Sequence, residues 1–466
     1  MAQTNNRQAF PDCEIPTSTE RSKAIESSVS LAESGLALFA IALLTFASLL
    51  VQFAVSLDSW VFVFLVSKPI VDLTWRWQFF DLFEQQVNVQ TIVALMVILL
   101  NGIAFIFRKR KLPLARPVVC LMGLAGLSVC LTPTSWGFNE LLRLYAGTSL
   151  FLTAGWVLAT EKKFDRFAYW FLGAVFVPVF LSYFQLAGIL PFEYWDWIEK
   201  SEIGRVSGTY LHPLGLVYYL IYAIPLALYL LEKENDHKWF PLTFLILAFG
   251  ALFFTYDRTA LVAIVLQVIL WLALMRRHRL VLFLTLSVVL VAMVLSSRLE
   301  AIYDPLLATF RGEMDFGDPR FLRGRGMQFY VFLHSLYESH PIYWLIGRGG
   351  SVASGFVPDW GNLESNEAHN DFIRILHAYG ILGLGLYVRI VSGFWKASQW
   401  LRVSGEPYSF RLGSLMLVVL PAILFCSLTS EPMRYPTGVW YLFMLGSVVM
   451  LRAQRRESEI SEKESV

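Results

Sequence analysis

Charged residues, cysteines and metal-binding motifs are all scarce in this chain. Charged side chains make up 16% of its 466 residues, and no basic stripe suited to nucleic acid occurs, which excludes a DNA- or RNA-binding protein. Cys13 precedes the first long apolar run and the other three cysteines lie within such runs, so no structural disulfide is expected. Outside the apolar runs there is no CxxC, HExxH or DxD pattern, and we expect neither a metal site nor a cofactor.

Long apolar runs are what the chain has in abundance. It is 56% hydrophobic with a mean hydropathy of +0.55, and its runs of about 17 to 22 residues can cross the hydrocarbon core as helices. Strands of a barrel would alternate in polarity instead. We therefore predict an all-α polytopic membrane protein with about twelve transmembrane helices. The predicted spans are 36–56, 88–107, 114–131, 139–160, 167–187, 211–231, 239–255, 258–275, 280–295, 372–395, 411–429 and 436–452.

Basic residues decide the predicted orientation. The run 108–111, Lys162-Lys163, the run 276–279 and the arginines after the last span all fall on one side, which the positive-inside rule assigns to the cytoplasm. The first apolar run is not followed by a small-residue cleavage site, so the N-terminal segment is expected to stay as a cytoplasmic tail. The predicted parts are a tail (1–35), the first part of the membrane domain (36–295), one large external loop (296–371), the second part of the membrane domain (372–452) and a C-terminal cytoplasmic tail (453–466).

Two segments outside the spans are predicted to have structure of their own. The apolar stretch Trp60 to Val71 is interrupted by Lys68-Pro69 and followed by Asp72, which favours an interfacial or re-entrant piece. In the external loop, residues 326–339 have helical periodicity and end at His340-Pro341, which predicts a short amphipathic helix.

The large loop on the predicted external side contains arginine but no lysine. The loop 296–371 has six arginines and no lysine, and the planar guanidinium matches phosphate oxygens with two hydrogen bonds. Loop arginines could equally pair with the loop's acids or reach lipid headgroups. Arg205 and Arg258 stand apart because they lie at the ends of spans, where an ionisable group is costly and usually functional.

His369 is the candidate base. It precedes Asn370 and Asp371, either of which can cap the helix predicted to follow. The partial positive charge of a helix N-terminus disfavours imidazolium, and a neutral imidazole can accept a proton. The alternative is a hydrogen-bonded surface histidine.

Four segments resemble, in this order, the motifs of the O-antigen ligase and Wzy-type polysaccharide polymerase superfamily. They are 204–213 (GRVSGTYLHP), 255–260 (TYDRTA), 325–350 ending in GRGG, and 368–383 (AHNDFIRILHAYGILG). The resemblance, which covers roughly residues 200 to 400, implies a GT-C-like, metal-independent, inverting glycosyltransferase whose donor is a glycan on undecaprenyl diphosphate. It also implies that the essential arginines are Arg205 and Arg258 and the essential histidine is His369. Asp257 departs from the family's usual serine before the second arginine.

The chemistry expected of these residues agrees with the resemblance. A sugar leaving from a diphosphate develops negative charge, which cationic donors stabilise. Arg323, Arg325 and Arg348 are the further candidate substrate-binding residues. Loop aromatics suit sugar stacking, although an interfacial belt explains them equally well; these are Trp195, Trp197, Tyr210 and Trp360.

The sequence thus predicts a glycosyltransferase of a bacterial inner membrane, with its active site facing the periplasm. The favoured activity is polymerisation of lipid-linked repeat units into O-antigen, capsule or exopolysaccharide, partly because the segment 68–72 resembles exopolysaccharide-cluster members. An O-antigen ligase, which transfers the glycan to lipid A core, is the close alternative. A flippase or exporter of the same lipid-linked glycan is the alternative of another class, but related halves are not evident. Besides the bilayer and the donor, a flippase and a chain-length regulator are candidate partners.

Overall fold

The structure is a computed structural model that describes most of the chain from residue 57 onward. The described residues are 57–74, 77–82, 85–108, 112–131, 133, 135–192, 194–198, 201–233, 238–277, 325–349 and 368–464. The N-terminal tail, the predicted spans 36–56 and 280–295, and Arg323 lie outside them.

The described chain is helical apart from two short hairpins. The hairpins pair β1 (Gln78–Leu82) with β2 (Gln85–Asn88), and β3 (Tyr194–Ile198) with β4 (Ser201–Arg205), both antiparallel. The helices are α1 (Leu57–Val71), α2 (Val89–Arg108), α3 (Ala115–Leu131), α4 (Ser135–Leu158), α5 (Glu161–Leu186), α6 (Pro213–Leu231), α7 (Trp239–Phe254), α8 (Arg258–Leu274), α9 (Arg325–Tyr337), α10 (Ile342–Ile346), α11 (Asp371–Val403), α12 (Pro407–Thr429) and α13 (Pro436–Glu464). Short 3-10 turns cover Asp72–Thr74 and Pro432–Arg434.

Ten of the predicted spans fall on described apolar helices. Within the described ranges, seven helices are long and apolar enough to cross a membrane, namely α2, α4, α5, α6, α11, α12 and α13, while α3, α7 and α8 are shorter. The chain is therefore an all-α polytopic membrane protein, and the total of twelve spans stays a prediction. The loop predicted to be external contains short helices, because α9 and α10 occupy its described part.

The last helix runs further than the sequence predicts. α13 continues through Glu464, so residues expected to form a tail extend the helix instead. Arginine and glutamate are good helix formers, and Arg456 pairs with Glu459 one turn later at 3.0 Å.

The segment around Lys68 is a helix packed among its neighbours. Trp60 and Phe64 of α1 are fully buried, and the Tyr441 hydroxyl donates to the Leu65 carbonyl at 2.7 Å. Lys68 forms an ion pair with Asp72 one turn later. At 15 residues, α1 is shorter than the helices that can span the bilayer.

The core lies around α6, which is buried over most of its length. Polar contacts tie this helix to its neighbours. The Tyr222 hydroxyl donates to the Gly438 carbonyl of α13 at 2.6 Å, and Gln267 Nε2 of α8 donates to the Ile221 carbonyl at 3.0 Å. Such side-chain bonds to the main chain help hold helices together where both surfaces are apolar.

Helix α11 is broken at Gly380, where the backbone has φ 65° and ψ −169°. The carbonyls of His377 and Ala378 instead accept hydrogen bonds from the backbone N–H groups of Arg348 (2.8 Å) and Gly349 (3.2 Å). A Cβ on Gly380 would lie 2.3 Å from the Leu345 carbonyl carbon. The end of α10 thus crosses α11 at a point where only glycine fits, and the crossing anchors the segment that contains α9 and α10 on α11.

Candidate functional site

Arg205 is held where a hairpin meets the end of a membrane helix. It closes β4, opposite Tyr194, and its Nε donates to the Thr255 carbonyl at 2.7 Å. The next residue continues the contact, since the Val206 N–H donates to the Phe254 carbonyl at 3.2 Å. A hydrogen bond from Nε orients the guanidinium without cancelling its charge.

Arg258 is the first residue of α8 and is exposed. The preceding residue, Asp257, is the N-cap, and its side chain accepts a hydrogen bond from the Ala260 N–H at 2.8 Å. Serine and aspartate are both preferred N-caps. The aspartate that departs from the family motif can therefore do the capping that a serine would do.

His369 lies directly before helix α11 and is partly buried. Asn370 is the N-cap of that helix: its Oδ1 accepts from the Ile373 N–H at 3.0 Å, and its Nδ2 donates to the Leu428 carbonyl at 3.0 Å. Of the two residues that the sequence allows as the cap, the structure selects Asn370. His369 is thus at the positive end of a capped helix, as predicted.

A series of short contacts joins these regions. Arg205 bonds to Thr255, which lies three residues before Arg258. Thr259, which follows Arg258, has its Oγ1 3.3 Å from Oγ1 of Thr429 at the end of α12. The residue before Thr429, Leu428, accepts the bond from Asn370, the neighbour of His369. The end of α12 therefore lies between the start of α8 and the start of α11.

Backbone strain is concentrated in the same region. Three residues other than glycine have positive φ here: Thr209 (69°), Tyr256 (53°) and His369 (47°). Thr209 lies four residues after Arg205, and Tyr256 lies two residues before Arg258. His369 is itself a candidate residue. Such conformations are uncommon outside glycine, and they persist where the surrounding structure imposes them, often at functional sites.

The candidate substrate-binding arginines Arg325 and Arg348 lie at described positions of the loop before α11. Arg348 donates through Nη1 to the Ser335 carbonyl at 3.3 Å and to the Ser335 hydroxyl, which ties the loop to α9. Arg325 begins α9, one residue before the helix start that the periodicity predicts. The substrate-binding roles of Arg323, Arg325 and Arg348 stay predictions.

Tyr210 does not suit the sugar-stacking role considered for it. Its side chain is 3% exposed, its ring stacks on Tyr219 at 5.5 Å, and its hydroxyl donates to the Pro69 carbonyl at 2.8 Å. Burial raises the pKa of the hydroxyl well above its usual range, so it remains a neutral donor. The expectation failed because a loop position next to a helix start was taken to be exposed.

A buried group of charges next to the candidate site was missed. Glu140 of α4 and Arg374 of α11 form an ion pair at 2.6 Å, and Asp371 is fully buried one turn before Arg374. The signal was available in the sequence, because both partners lie inside predicted spans, where charged residues are rare and usually functional.

In the described part of the chain, no three His, Cys, Asp or Glu side chains are grouped so as to hold a metal ion.

The family model described as O-antigen ligase matches residues 243–388. The matched segment contains Arg258 and His369, whereas Arg205 lies before it. No curated protein matches the chain. The match to residues 243–388 supports the similarity of this membrane protein to the superfamily of O-antigen ligases and Wzy-type polysaccharide polymerases that its sequence motifs indicate.

Proposed function

We propose that this protein is a membrane glycosyltransferase that polymerises undecaprenyl-diphosphate-linked repeat units into O-antigen, capsule or exopolysaccharide. The observation that supports it best is the series of contacts from Arg205 through Thr255, Thr259, Thr429 and Leu428 to Asn370, the neighbour of His369. Those contacts gather two cations and one base, which lie far apart in the sequence, around one helix end. Such a grouping suits transfer of a sugar from an anionic lipid.

The proposed reaction is a single displacement. His369 accepts the proton of an acceptor hydroxyl while that oxygen forms a bond to the anomeric carbon of the donor sugar. The bond from that carbon to the phosphate oxygen breaks on the opposite face, so the configuration inverts. Undecaprenyl diphosphate leaves with the electron pair, and Arg205 and Arg258 stabilise the negative charge that develops on it.

The two arginines would take the role that a divalent cation has in many glycosyltransferases. A guanidinium can fork two phosphate oxygens, and the bond from Arg205 Nε to the Thr255 carbonyl fixes the plane of its fork. We therefore expect that a chelator leaves the transfer rate on purified lipid-linked donor unchanged. Strict dependence on added magnesium or manganese would reject this part of the proposal.

The proposed location follows from the donor. Arg205, Arg258 and His369 would face the periplasm of a bacterial inner membrane, where a flippase delivers the lipid-linked units and a chain-length regulator acts. A GT-C-like arrangement of about twelve spans would surround them.

An O-antigen ligase is the second candidate, favoured by the description of the matched family. It would use the same donor and residues but transfer the glycan to lipid A core. Deletion of the gene followed by analysis of the lipid-linked pool separates the candidates. Loss of a polymerase leaves single repeat units on the lipid, and loss of a ligase leaves long chains on it.

The same experiment tests the transporter alternative. Loss of a flippase leaves single repeat units on the cytoplasmic face, where an externally added glycosidase cannot reach them in intact spheroplasts. Single units on the outer face support the polymerase. An unchanged lipid-linked pool would reject all three activities.

A further inference from the structure

The buried charges around Arg374 form a closed group beside His369. Arg374 Nη1 lies 2.6 Å from Glu140 Oε2, and Arg374 Nε lies 3.8 Å from Asp371 Oδ1. The side chains of Arg374, Glu140 and Asp371 are 11%, 7% and 0% exposed, respectively. We call these three residues the Arg374 cluster. Glu140 and Arg374 are 234 positions apart in the chain, so the ion pair joins α4 to α11.

Further ion pairs adjoin the cluster. Arg143 Nη1 lies 3.2 Å from Glu140 Oε1, and Arg434 Nη1 lies 3.6 Å from Glu431 Oε2 in the turn after α12. The three acids Glu140, Asp371 and Glu431 are thus accompanied by the three arginines 143, 374 and 434. Removing one partner of a buried pair leaves an uncompensated charge and is strongly destabilising, whereas removing both is often tolerated.

Asp371 connects the cluster to the candidate base. Its Oδ2 accepts hydrogen bonds from the Ser427 hydroxyl (2.8 Å) and the Met433 N–H (3.0 Å). Asp371 is the first residue of α11 and lies two positions after His369. Because His369 has φ 47°, its position depends on neighbours that hold the backbone in an uncommon conformation.

We propose that Arg374 is a positioning residue for His369. By pairing with Glu140 and Asp371, it fixes the first turn of α11 against α4, and this turn in turn fixes the imidazole relative to Arg205 and Arg258. The proposal rests on the proposed function of His369 as the base. Arg374 acts through Asp371 and the helix start, not on the substrate.

The first test is kinetic. In Arg374→Met, we expect kcat to fall about 30-fold with the donor KM within about twofold, because a misplaced base slows the transfer step while the arginines still bind the diphosphate. Adding Glu140→Gln should leave kcat about as low, because the double variant also lacks the ion pair that holds the first turn of α11 against α4. The matched control is Arg389→Met, an exposed arginine about four turns along the same helix, which should leave kcat unchanged.

A rise in donor KM with unchanged kcat would show that Arg374 contacts the substrate and would overturn the positioning role. Recovery of kcat in the double variant would overturn it as well, because the loss would then come from the stranded carboxylate and not from the missing ion pair.

The second test does not depend on activity. A cysteine introduced as His369→Cys, with Cys13, Cys120, Cys130 and Cys426 replaced by alanine, is labelled with a maleimide in detergent-solubilised protein. We expect Arg374→Met to raise the labelling rate about tenfold by loosening the start of α11, and Arg389→Met to leave it unchanged. Equal rates in all variants would reject the positioning role. If the wild-type protein is inactive on every lipid-linked donor, the proposed function fails, and the labelling rates still decide whether Arg374 positions residue 369.

Discussion

The two ends of the membrane helices use their charged residues differently. At the end where α5 and α12 begin, partly exposed ion pairs form: Arg411 Nη2 lies 2.6 Å from Glu161 Oε1, and Arg452 pairs with Glu406. At the opposite end, the ion pair of Arg374 with Glu140 is more deeply buried. The same end also carries Arg205, whose Nε donates to the Thr255 carbonyl, and Arg258, the two arginines proposed to recognise an anion.

The backbone is unusual at both ends. Thr209, Tyr256 and His369 at the site end have positive φ, and so do Leu114 and Arg276 at the opposite end. The broken turn at Gly380 lies nearer the site, about nine residues into α11. Substitutions can therefore test whether one end carries activity and the other stability.

The largest effect is expected at His369. The change His369→Ala should lower glycan transfer about a thousandfold or more, because it removes the proposed base. The measurement is transfer on purified lipid-linked donor, with expression and membrane insertion checked in parallel. The control is His340→Ala, an exposed histidine of the same loop between α8 and α11. Wild-type activity in His369→Ala would end the assignment of the base.

The next effect concerns the backbone near the site. The change Gly380→Ala should destabilise the protein by about 3 kcal/mol, because alanine disfavours positive φ and its Cβ would overlap the Leu345 main chain. The thermal unfolding midpoint in detergent measures it. Gly385→Ala is the control, since a Cβ there has no atom within 4 Å. Similar midpoints for both variants would contradict the crossing.

Lysine substitutions separate the two arginines. Arg205→Lys should lose about a hundredfold in transfer, because lysine lacks both the Nε–H that donates to the Thr255 carbonyl and the planar fork that matches two phosphate oxygens. Arg258→Lys should lose about tenfold, since the exposed position imposes less geometry on the side chain. Initial rates at saturating donor give the comparison. Equal tolerance of lysine at both positions would show that charge alone suffices.

The smallest effect is expected at the opposite end. Glu406→Gln should cost at most about 1 kcal/mol of stability, because its pair with Arg452 is partly exposed and screened by solvent. Transfer activity should stay within about twofold of wild type. A large loss of activity with an unchanged unfolding midpoint would break the comparison between the two ends.

Much of the fold follows from local sequence properties. Apolar runs predict ten of the described helices, because a helix that must lie in lipid needs nearly uniform apolarity, which a short window of sequence reveals. The extent of α13 and the burial of α1 were not predicted. Both depend on packing and pairing beyond the apolar run itself.

The candidate site, too, is predicted by the sequence only in part. Residue type and motif order point to Arg205, Arg258 and His369 without any structure. The sequence leaves open whether Asn370 or Asp371 caps α11; the structure shows that Asn370 caps it and that the Asp371 carboxylate bonds to Ser427 and Met433 instead. Tyr210 was wrongly considered for sugar stacking, because no local sequence pattern shows that it packs against Tyr219 and Pro69.

The sequence by itself determined that this chain is a polytopic helical membrane protein with segments similar to those of O-antigen ligases, because apolarity and motif identity are properties of neighbouring residues. Only the tertiary structure decided which distant residues meet: Arg205 with Thr255, Gly347 with the broken turn at Gly380, and Glu140 with Arg374. Those partners are separated by up to 234 positions. Their contacts depend on how the helices pack against one another, which local periodicity does not encode.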